Sequence, residues 1–338
     1  MAKTRWGVLG VARIATKKVI PAMQRGERTA VTAIASRDLA KSQAAAAELG
    51  IPQAYGSYEE LLADPEIDAI YIPLPNHMHV PWSIKAAEAG KHVLCEKPIA
   101  LSSDEARQLI AVRDRTGVKI GEAFMVRSHP QWIRAKQIAA SGEIGELRAI
   151  VGSFSYFNRD PANVRNVAEW GGGGLFDIGC YPIQIARFLS GQEPRAVKAF
   201  IERDPEFRTD RLTSALLDFG SWHCVFNVSM QMVPYQRVQI LGTKARIEVE
   251  IPFNAPPDRA TRIFVDTGAD LFGDGQRTEQ FDICDQYTLQ GDQFSHAIQE
   301  GGEVPTPLED SVKNMEVIEA VFRSAGAPEA VAYPRPLG

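Results

Sequence analysis

The sequence predicts an α/β protein in two parts: a doubly wound parallel sheet, then a domain with an open, mostly antiparallel sheet and flanking helices. Three observations predict this. Strand and helix patterns alternate as far as residue 122, long strands then succeed one another without intervening helices, and two helical patterns close the chain. Parallel neighbours need crossover helices, and those crossovers are right-handed, whereas strands lacking them must turn back on themselves. The change of texture after Gly121-Glu122 sets the expected division at 1–122 and 123–338.

Composition limits the partners. The chain has 338 residues, 45% of them hydrophobic and 23% charged, enough for two ordinary cores. Its 37 basic and 42 acidic residues leave a net charge of −5, which argues against nucleic acid or an anionic membrane as partner. Cys95, Cys180, Cys224 and Cys284 are scattered, without C-x-x-C spacing, and read as reduced core thiols. Met1–Arg5 leads straight into a strand, and no apolar run approaches the ~18 residues of a spanning helix, so a cytoplasmic protein is expected.

Trp6-Gly7-Val8-Leu9 reads as the first strand, and a helix follows to about Gln24. Between them Gly10, Ala12 and Ala15 follow the G-x-G-x-x-G/A dinucleotide spacing, with alanine where the backbone must approach a pyrophosphate. Gly10, Ala12, Arg13 and Ile14 are therefore candidate cofactor contacts, because N–H groups at a helix start hold diphosphate. The second strand, Ala30–Ala35, ends in Ser36-Arg37-Asp38 with no acid at the strand end. Ser36 offers a hydroxyl and Arg37 a planar cation for a 2′-phosphate, which favours NADP over NAD. The alternative is that Asp38 reaches the ribose.

A helix over Leu39–Leu49 is ended by Gly50 and Pro52, and Ser57 to Glu60 reads as a capping box. Ala69–Ile72 is the next strand. Pro73, Asn76 and His79, in and just after the rigid turn at its end, are further candidate cofactor contacts, and a helix runs from His79 to Ala89. His92–Cys95 is a continuous apolar strand stopped by Glu96-Lys97-Pro98, since proline cannot donate to a ladder. Glu96 and Lys97 thus stand at a carboxyl strand end, where open α/β sheets bind ligands, and are candidate cofactor contacts, with Lys97 able to face cofactor and substrate alike.

In the second part the patterns predict a helix near Pro130–Ala140 and strands at Leu147–Tyr156, Ala196–Arg203, Arg211–Phe219, His223–Met230 and Arg237–Glu250. Pro252–Asp282 reads as an irregular excursion, and helices follow near Tyr287–Gln299 and Leu308–Ser324. Four glycines, Gly171 to Gly174, precede Leu175-Phe176-Asp177 and Cys180-Tyr181-Pro182. Such a run suggests a close backbone approach or a flexible lid. Pro182 fits early in a helix, with Asp177 as its N-cap and Tyr181 one turn on. Arg127, His129, Asn163, Arg165 and Trp170 are polar or aromatic candidates for a substrate wall. The six histidines form no metal-ligand pattern.

Jointly the W-G-V-L-G-V-A-R-I-A opening, P-L-P-N-H-M-H, C-E-K-P, Glu122–Pro130 and G-G-G-G-L-F-D-I-G-C-Y resemble the Gfo/Idh/MocA oxidoreductases over nearly the whole chain. The likeness is closest to the glucose-fructose oxidoreductase and dimeric dihydrodiol dehydrogenase branch, since many inositol-type members carry histidine at the position of Tyr181. The resemblance implies a Rossmann domain at 1–122 and a substrate-binding and oligomerisation domain at 123–338. It implies NADP, with NAD possible, as hydride carrier, and Lys97 with Tyr181 at a sugar, polyol or dihydrodiol. Arg127, Arg165, Trp170 and Asp177 would contact that substrate. A homodimer or larger assembly through the C-terminal sheet is also implied.

Chemically, carbinol oxidation needs a base and carbonyl reduction the matching acid. A tyrosine with a reference pKa of about 10 is too weak a base alone. An ammonium ~4 Å away at an effective dielectric of ~20 contributes about 4 kcal/mol, roughly 3 pKa units. Lys97 could instead stabilise alkoxide charge or relay the proton. Competing readings are a non-catalytic NADP-binding sensor and a reductase of imines or conjugated pigments.

Overall fold

The computed structural model describes residues 2–326 and the backbone of Val331 and Ala332. The chain forms two compact units, the first running to Ser128 and including Asp285–Val312, the second formed by His129–Cys284 and the chain from Lys313.

In the first unit six strands, β1 (Thr4–Leu9), β2 (Thr29–Ala35), β3 (Gln53–Tyr55), β4 (Ala69–Ile72), β5 (His92–Cys95) and β6 (Ile120–Glu122), make one sheet in the order β3-β2-β1-β4-β5-β6. All its pairings are parallel. β4 is buried along its whole length, as helices on both faces require. The order reverses between β1 and β4, which opens a crevice at their carboxyl ends. Local chemistry sets the helix limits. The Asp38 carboxylate accepts from Ala40 and Lys41 N–H at the start of Leu39–Leu49, and Gly50 ends that helix at φ 66°. Ser57 and Ser102 cap Tyr58–Ala63 and Ser103–Thr116 in the same way.

Asp285–Val312 joins this unit, whereas the expected division placed all of 123–338 together. The helix Gln286–Glu300 carries fully buried Phe294, whose ring lies 5.6 Å from that of Trp6, and Ser295 accepts from Trp6 Nε1 at 3.1 Å. The Asp292 carboxylate takes the N–H groups of Glu27 (2.9 Å) and Arg28 (2.8 Å). These partners lie more than 260 positions away, beyond the reach of a periodicity argument.

The second unit is built on β7 (Leu147–Phe157), β8 (Ala196–Arg203), β9 (Asp210–Asp218), β10 (His223–Ser229), β11 (Gln231–Gly242), β12 (Arg246–Val249), β13 (Thr261–Asp266), β14 (Gln276–Phe281) and β15 (Val331–Ala332). Their order is β14-β13-β12-β11-β7-β10-β9-β8-β15, and only the β7–β10 pairing is parallel. The helix Cys180–Ser190 packs on β7 and β10, with Pro182 Cβ 3.5 Å from where a side chain at Gly152 would begin.

Two expectations are corrected here. Arg237–Glu250 is not one strand: β11 turns at Thr243-Lys244 into β12, with Gly242 N–H bonded to Ala245 O at 2.9 Å. Pro252–Asp282 is not wholly irregular, since it contains the β13–β14 hairpin. β14 is an edge strand, Q-R-T-E-Q-F, polar except for its last residue, so it carries no apolar alternation to read. Three of the cysteines are buried and Cys284 is half-buried. Among the described residues no helix is long and apolar enough to cross a membrane.

Candidate active site

In the first unit the dinucleotide turn is formed as the spacing requires. Gly10 has φ 98°, its N–H bonds Ala35 O at 2.8 Å, and a Cβ added there would lie 3.1 Å from Leu74 Cδ2. Thr16 N–H bonds Ala12 O at 3.0 Å, so the first intrahelical bond begins at Ala12. The N–H groups of Arg13, Ile14 and Ala15 therefore lead the helix without intrahelical acceptors. At the end of β2, Ser36 Oγ accepts Asp38 N–H at 3.2 Å, which leaves the hydroxyl proton to give. Arg37 is exposed, with the Tyr58 hydroxyl as hydrogen-bond partner. The Asp38 carboxylate is occupied as a helix cap (3.1 Å to Ala40 N), which disfavours the alternative that it reaches a ribose. The leading N–H groups and the Ser36-Arg37 pair fit a phosphorylated dinucleotide.

The turn after β5 carries Lys97, half-buried, on the same rim. Its neighbours are fixed by buried side chains. Tyr71 donates its hydroxyl proton to Glu96 Oε1 at 2.6 Å, and burial followed by the Glu96 charge keeps that phenol protonated. The other Glu96 oxygen accepts Lys97 N–H at 3.3 Å, Glu122 Oε1 accepts Ile99 N–H at 2.8 Å, and the Lys97–Pro98 bond is cis. Pro73 is buried and Asn76 half-buried in the turn after β4. His79 is placed differently from expectation. It is 1% exposed and both ring nitrogens contact backbone carbonyls, so its imidazole is committed within the chain. Arg127 is ion-paired with Asp310 at 2.6 Å.

In the second unit the glycine run faces the chain itself. A Cβ at Gly172 would sit 2.5 Å from Arg165 O, and one at Gly173, where φ is 128°, would collide with the Asp210 carboxylate. Asp210 is 1% exposed; its Oδ2 accepts Leu175 N–H at 2.6 Å and the Thr213 hydroxyl at 3.0 Å. Asp210 therefore caps the helical run beginning near Leu175, and Asp177 does not. Asp177 lies inside that run, where Tyr156 donates to its Oδ2 at 2.5 Å and Arg165 Nε pairs with its Oδ1 at 2.8 Å. Burial and the Asp177 charge hold the Tyr156 phenol well above its ordinary pKa, so it remains a donor. Tyr181, one turn on and 4% exposed, has its ring 5.9 Å from Phe154 and 5.3 Å from Phe253. Trp170 is 41% exposed beside Gly171. Half-buried Asn163 caps a short turn at Arg165 N–H, and His129, fully buried, caps Pro130–Ala140 and so does not open to a wall.

Tyr71, Glu122, Tyr156 and Asp210 were not singled out in the sequence. Tyr71 had a readable signal, a hydroxyl inside a wholly apolar strand that must find a partner when buried. Among the described residues no group of His, Cys, Asp and Glu could hold a metal ion.

Comparison with known proteins bears on the same elements. Residues 4–124 match the GFO_IDH_MocA "Oxidoreductase family, NAD-binding Rossmann fold", and residues 132–248 match the "GFO/IDH/MocA C-terminal domain". An uncharacterized oxidoreductase of Rhizobium meliloti is 51% identical over 96% of this chain and 98% of its own. D-xylose 1-dehydrogenase (NADP(+)) 2 of Haloferax volcanii is 39% identical over 96% and 98%. The Mus musculus trans-1,2-dihydrobenzene-1,2-diol dehydrogenase is 32% identical over 75% and 76%, in keeping with the branch inferred from Tyr181. A 3-ketoreductase from Actinomadura kijaniata, solved with NADP and TDP-benzene, superposes with a TM-score of 0.88 at 28% identity, covering 95% of this chain and 98% of its own. That ketoreductase has also been solved with one tyrosine changed to phenylalanine and one lysine changed to alanine or glutamate. Those two residues are as many positions apart as Lys97 and Tyr181.

Buried histidines make stability depend on pH. Burial pulls His79 and His129 down to about 4, below the ordinary value near 6.5. Their contribution is complete above the unfolded pKa and is lost as the pH falls from about 6.5 toward 4, by at most about 3 kcal/mol each. Asp210, raised to about 6 by burial, acts with the opposite sign. His129→Asn keeps a cap acceptor but removes the titration, so the drop in urea midpoint between pH 7 and pH 5 should shrink. An unchanged drop would contradict the assignment.

Proposed function

The chain belongs to the Gfo/Idh/MocA oxidoreductase family, and on that premise we propose that it is an NADP-dependent dehydrogenase acting on a hydroxyl-bearing carbon of a sugar, polyol or dihydrodiol. The observation that carries the reading is the meeting, on one rim of one sheet, of the Gly10 turn and a lysine turn fixed by buried partners. The nicotinamide, when bound, supplies the hydride acceptor or donor. Arg13, Ile14 and Ala15 bind phosphate through their N–H groups, and Ser36 with Arg37 takes the 2′-phosphate. Lys97 and Tyr181 act together on the substrate oxygen, one moving its proton and the other stabilising developing charge. Asp177, held by Tyr156 and Arg165, orients the substrate, with Trp170 and Arg127 completing the wall. A xylose dehydrogenase and a dihydrodiol dehydrogenase among the relatives support the substrate class, and the paired lysine and tyrosine variants of the ketoreductase support the catalytic pair. Residues 1–122 then serve the nucleotide and 123–338 the substrate. A net charge of −5 and scattered thiols suit a cytoplasmic site of action.

We also propose a homodimer through the second unit's sheet. Leu216, Val225 and Val151 stand side by side across β9, β10 and β7 and are 39%, 41% and 38% exposed, and Phe200 nearby is 74% exposed. These residues form an exposed apolar patch on one face of the sheet, as a self-pairing surface would have. Val225→Glu should convert the dimer to monomer in sedimentation velocity. A monomeric parent protein at micromolar concentration would contradict the reading.

Two further outcomes test the enzyme. Arg37→Ala should weaken NADP binding far more than NAD binding in fluorescence titrations, and parallel losses would remove the basis for NADP. Lys97→Met and Tyr181→Phe should each lower turnover by about 10²–10⁴-fold with NADP affinity nearly intact, and the double variant should lose far less than the product. Near-normal turnover in Tyr181→Phe would move the proton to another group.

A further inference from the structure

His79 opens the helix His79–Glu88 and lies between two turns of the first unit. Its Nδ1 is 2.7 Å from Pro98 O and its Nε2 is 2.7 Å from Leu74 O. Pro98 follows Lys97, and Leu74 is the residue whose side chain fills the space before Gly10. A carbonyl oxygen only accepts, so each contact needs a ring proton, and a neutral imidazole has one. Both contacts are shorter than the ~2.9–3.0 Å usual for neutral N–H···O bonds. Burial, then the charges of Lys97 and His77, disfavours the doubly protonated ring near neutral pH. The acidic groups bound to the same turn, Glu96 and Glu122, are engaged by Tyr71 and by Ile99 N–H.

The two contacts differ in what they join. Leu74 is five positions from His79, in a turn stiffened by Pro73 and Pro75 on either side, so its place is set locally. Pro98 is 19 positions away on a different strand, so the Nδ1 contact is the long-range one and ties the turn of β5 to that of β4. We propose that His79 is a positioning residue for Lys97, its Nδ1–H holding the Pro98 carbonyl and so the backbone that carries the ammonium. This rests on the reading that Lys97 acts on the transferred proton.

Two substitutions separate positioning from mere packing. An asparagine amide reaches the place of Nδ1 and a glutamine amide that of Nε2, so His79→Asn keeps the donor to Pro98, whereas His79→Gln gives up that donor and offers one to Leu74 instead. Each keeps one buried hydrogen bond. His79→Asn should retain kcat within about threefold, and His79→Gln should lose about ten- to a hundredfold, with equal NADP affinity and equal urea midpoints in the two variants. Equal losses of kcat, or a larger loss in His79→Asn, would overturn the proposal. An activity-free reading comes from the pH profile of Lys97 acetylation, followed by peptide mass spectrometry. The profile should be displaced in His79→Gln and match the parent in His79→Asn, and no displacement in either would overturn it. If Lys97→Met retains full turnover, the catalytic reading of Lys97 fails, and the acetylation profile still decides the clasp.

Discussion

A parallel sheet buried on both faces lets polar chemistry reach the surface only at its strand ends, and the first unit depends on that constraint. β4 has no exposed residue and β5 almost none, so Glu96 and Lys97 come out of the buried ladder only where Pro98 ends the strand. Leaving the ladder exposes backbone groups that need other partners. They find them in side chains from neighbouring elements: Glu122 for Ile99 N–H, Glu96 for Lys97 N–H and His79 for Pro98 O. The bonds that satisfy the broken ladder also fix the lysine, so stability and positioning have one physical origin.

The second unit solves the matching problem with a buried acid. Asp210 lies beneath the glycine turn, where any side chain at Gly173 would strike it, and it takes the N–H of Leu175 at the head of the helical run. That leaves Asp177 free of capping and able to receive Tyr156 and Arg165. Of the two readings of the glycine run, a close approach or a flexible lid, Gly172 to Gly174 fit the first, and what approaches is the chain's own carbonyls and Asp210.

What was legible in the sequence was local or periodic. The Gly10 turn, the Ser57 cap, the helix Leu39–Leu49 and Lys97 at a strand end follow from spacing within a few residues. The joint motifs gave the family. What could not be read depends on long separations. Tyr71 meets Glu96 across 25 positions, Asp210 meets Leu175 across 35, and the helix Gln286–Glu300 returns to Trp6. His79 follows the turn at the end of β4 and so reads as a cofactor contact, but burial against a distant turn commits its ring within the chain. β14 escaped notice because an exposed polar edge strand has no apolar alternation.

The central claim is hydride transfer from a substrate carbinol carbon to the nicotinamide. It is tested most directly by incubating the enzyme and NADP with aldoses deuterated at C1, and with polyols and dihydrodiols deuterated at their carbinol carbons. Mass spectrometry of the recovered nicotinamide then reads the transfer. The account predicts one deuterium on the reduced cofactor with at least one of these substrates. Binding of NADP with no deuterium transfer from any of them would contradict it.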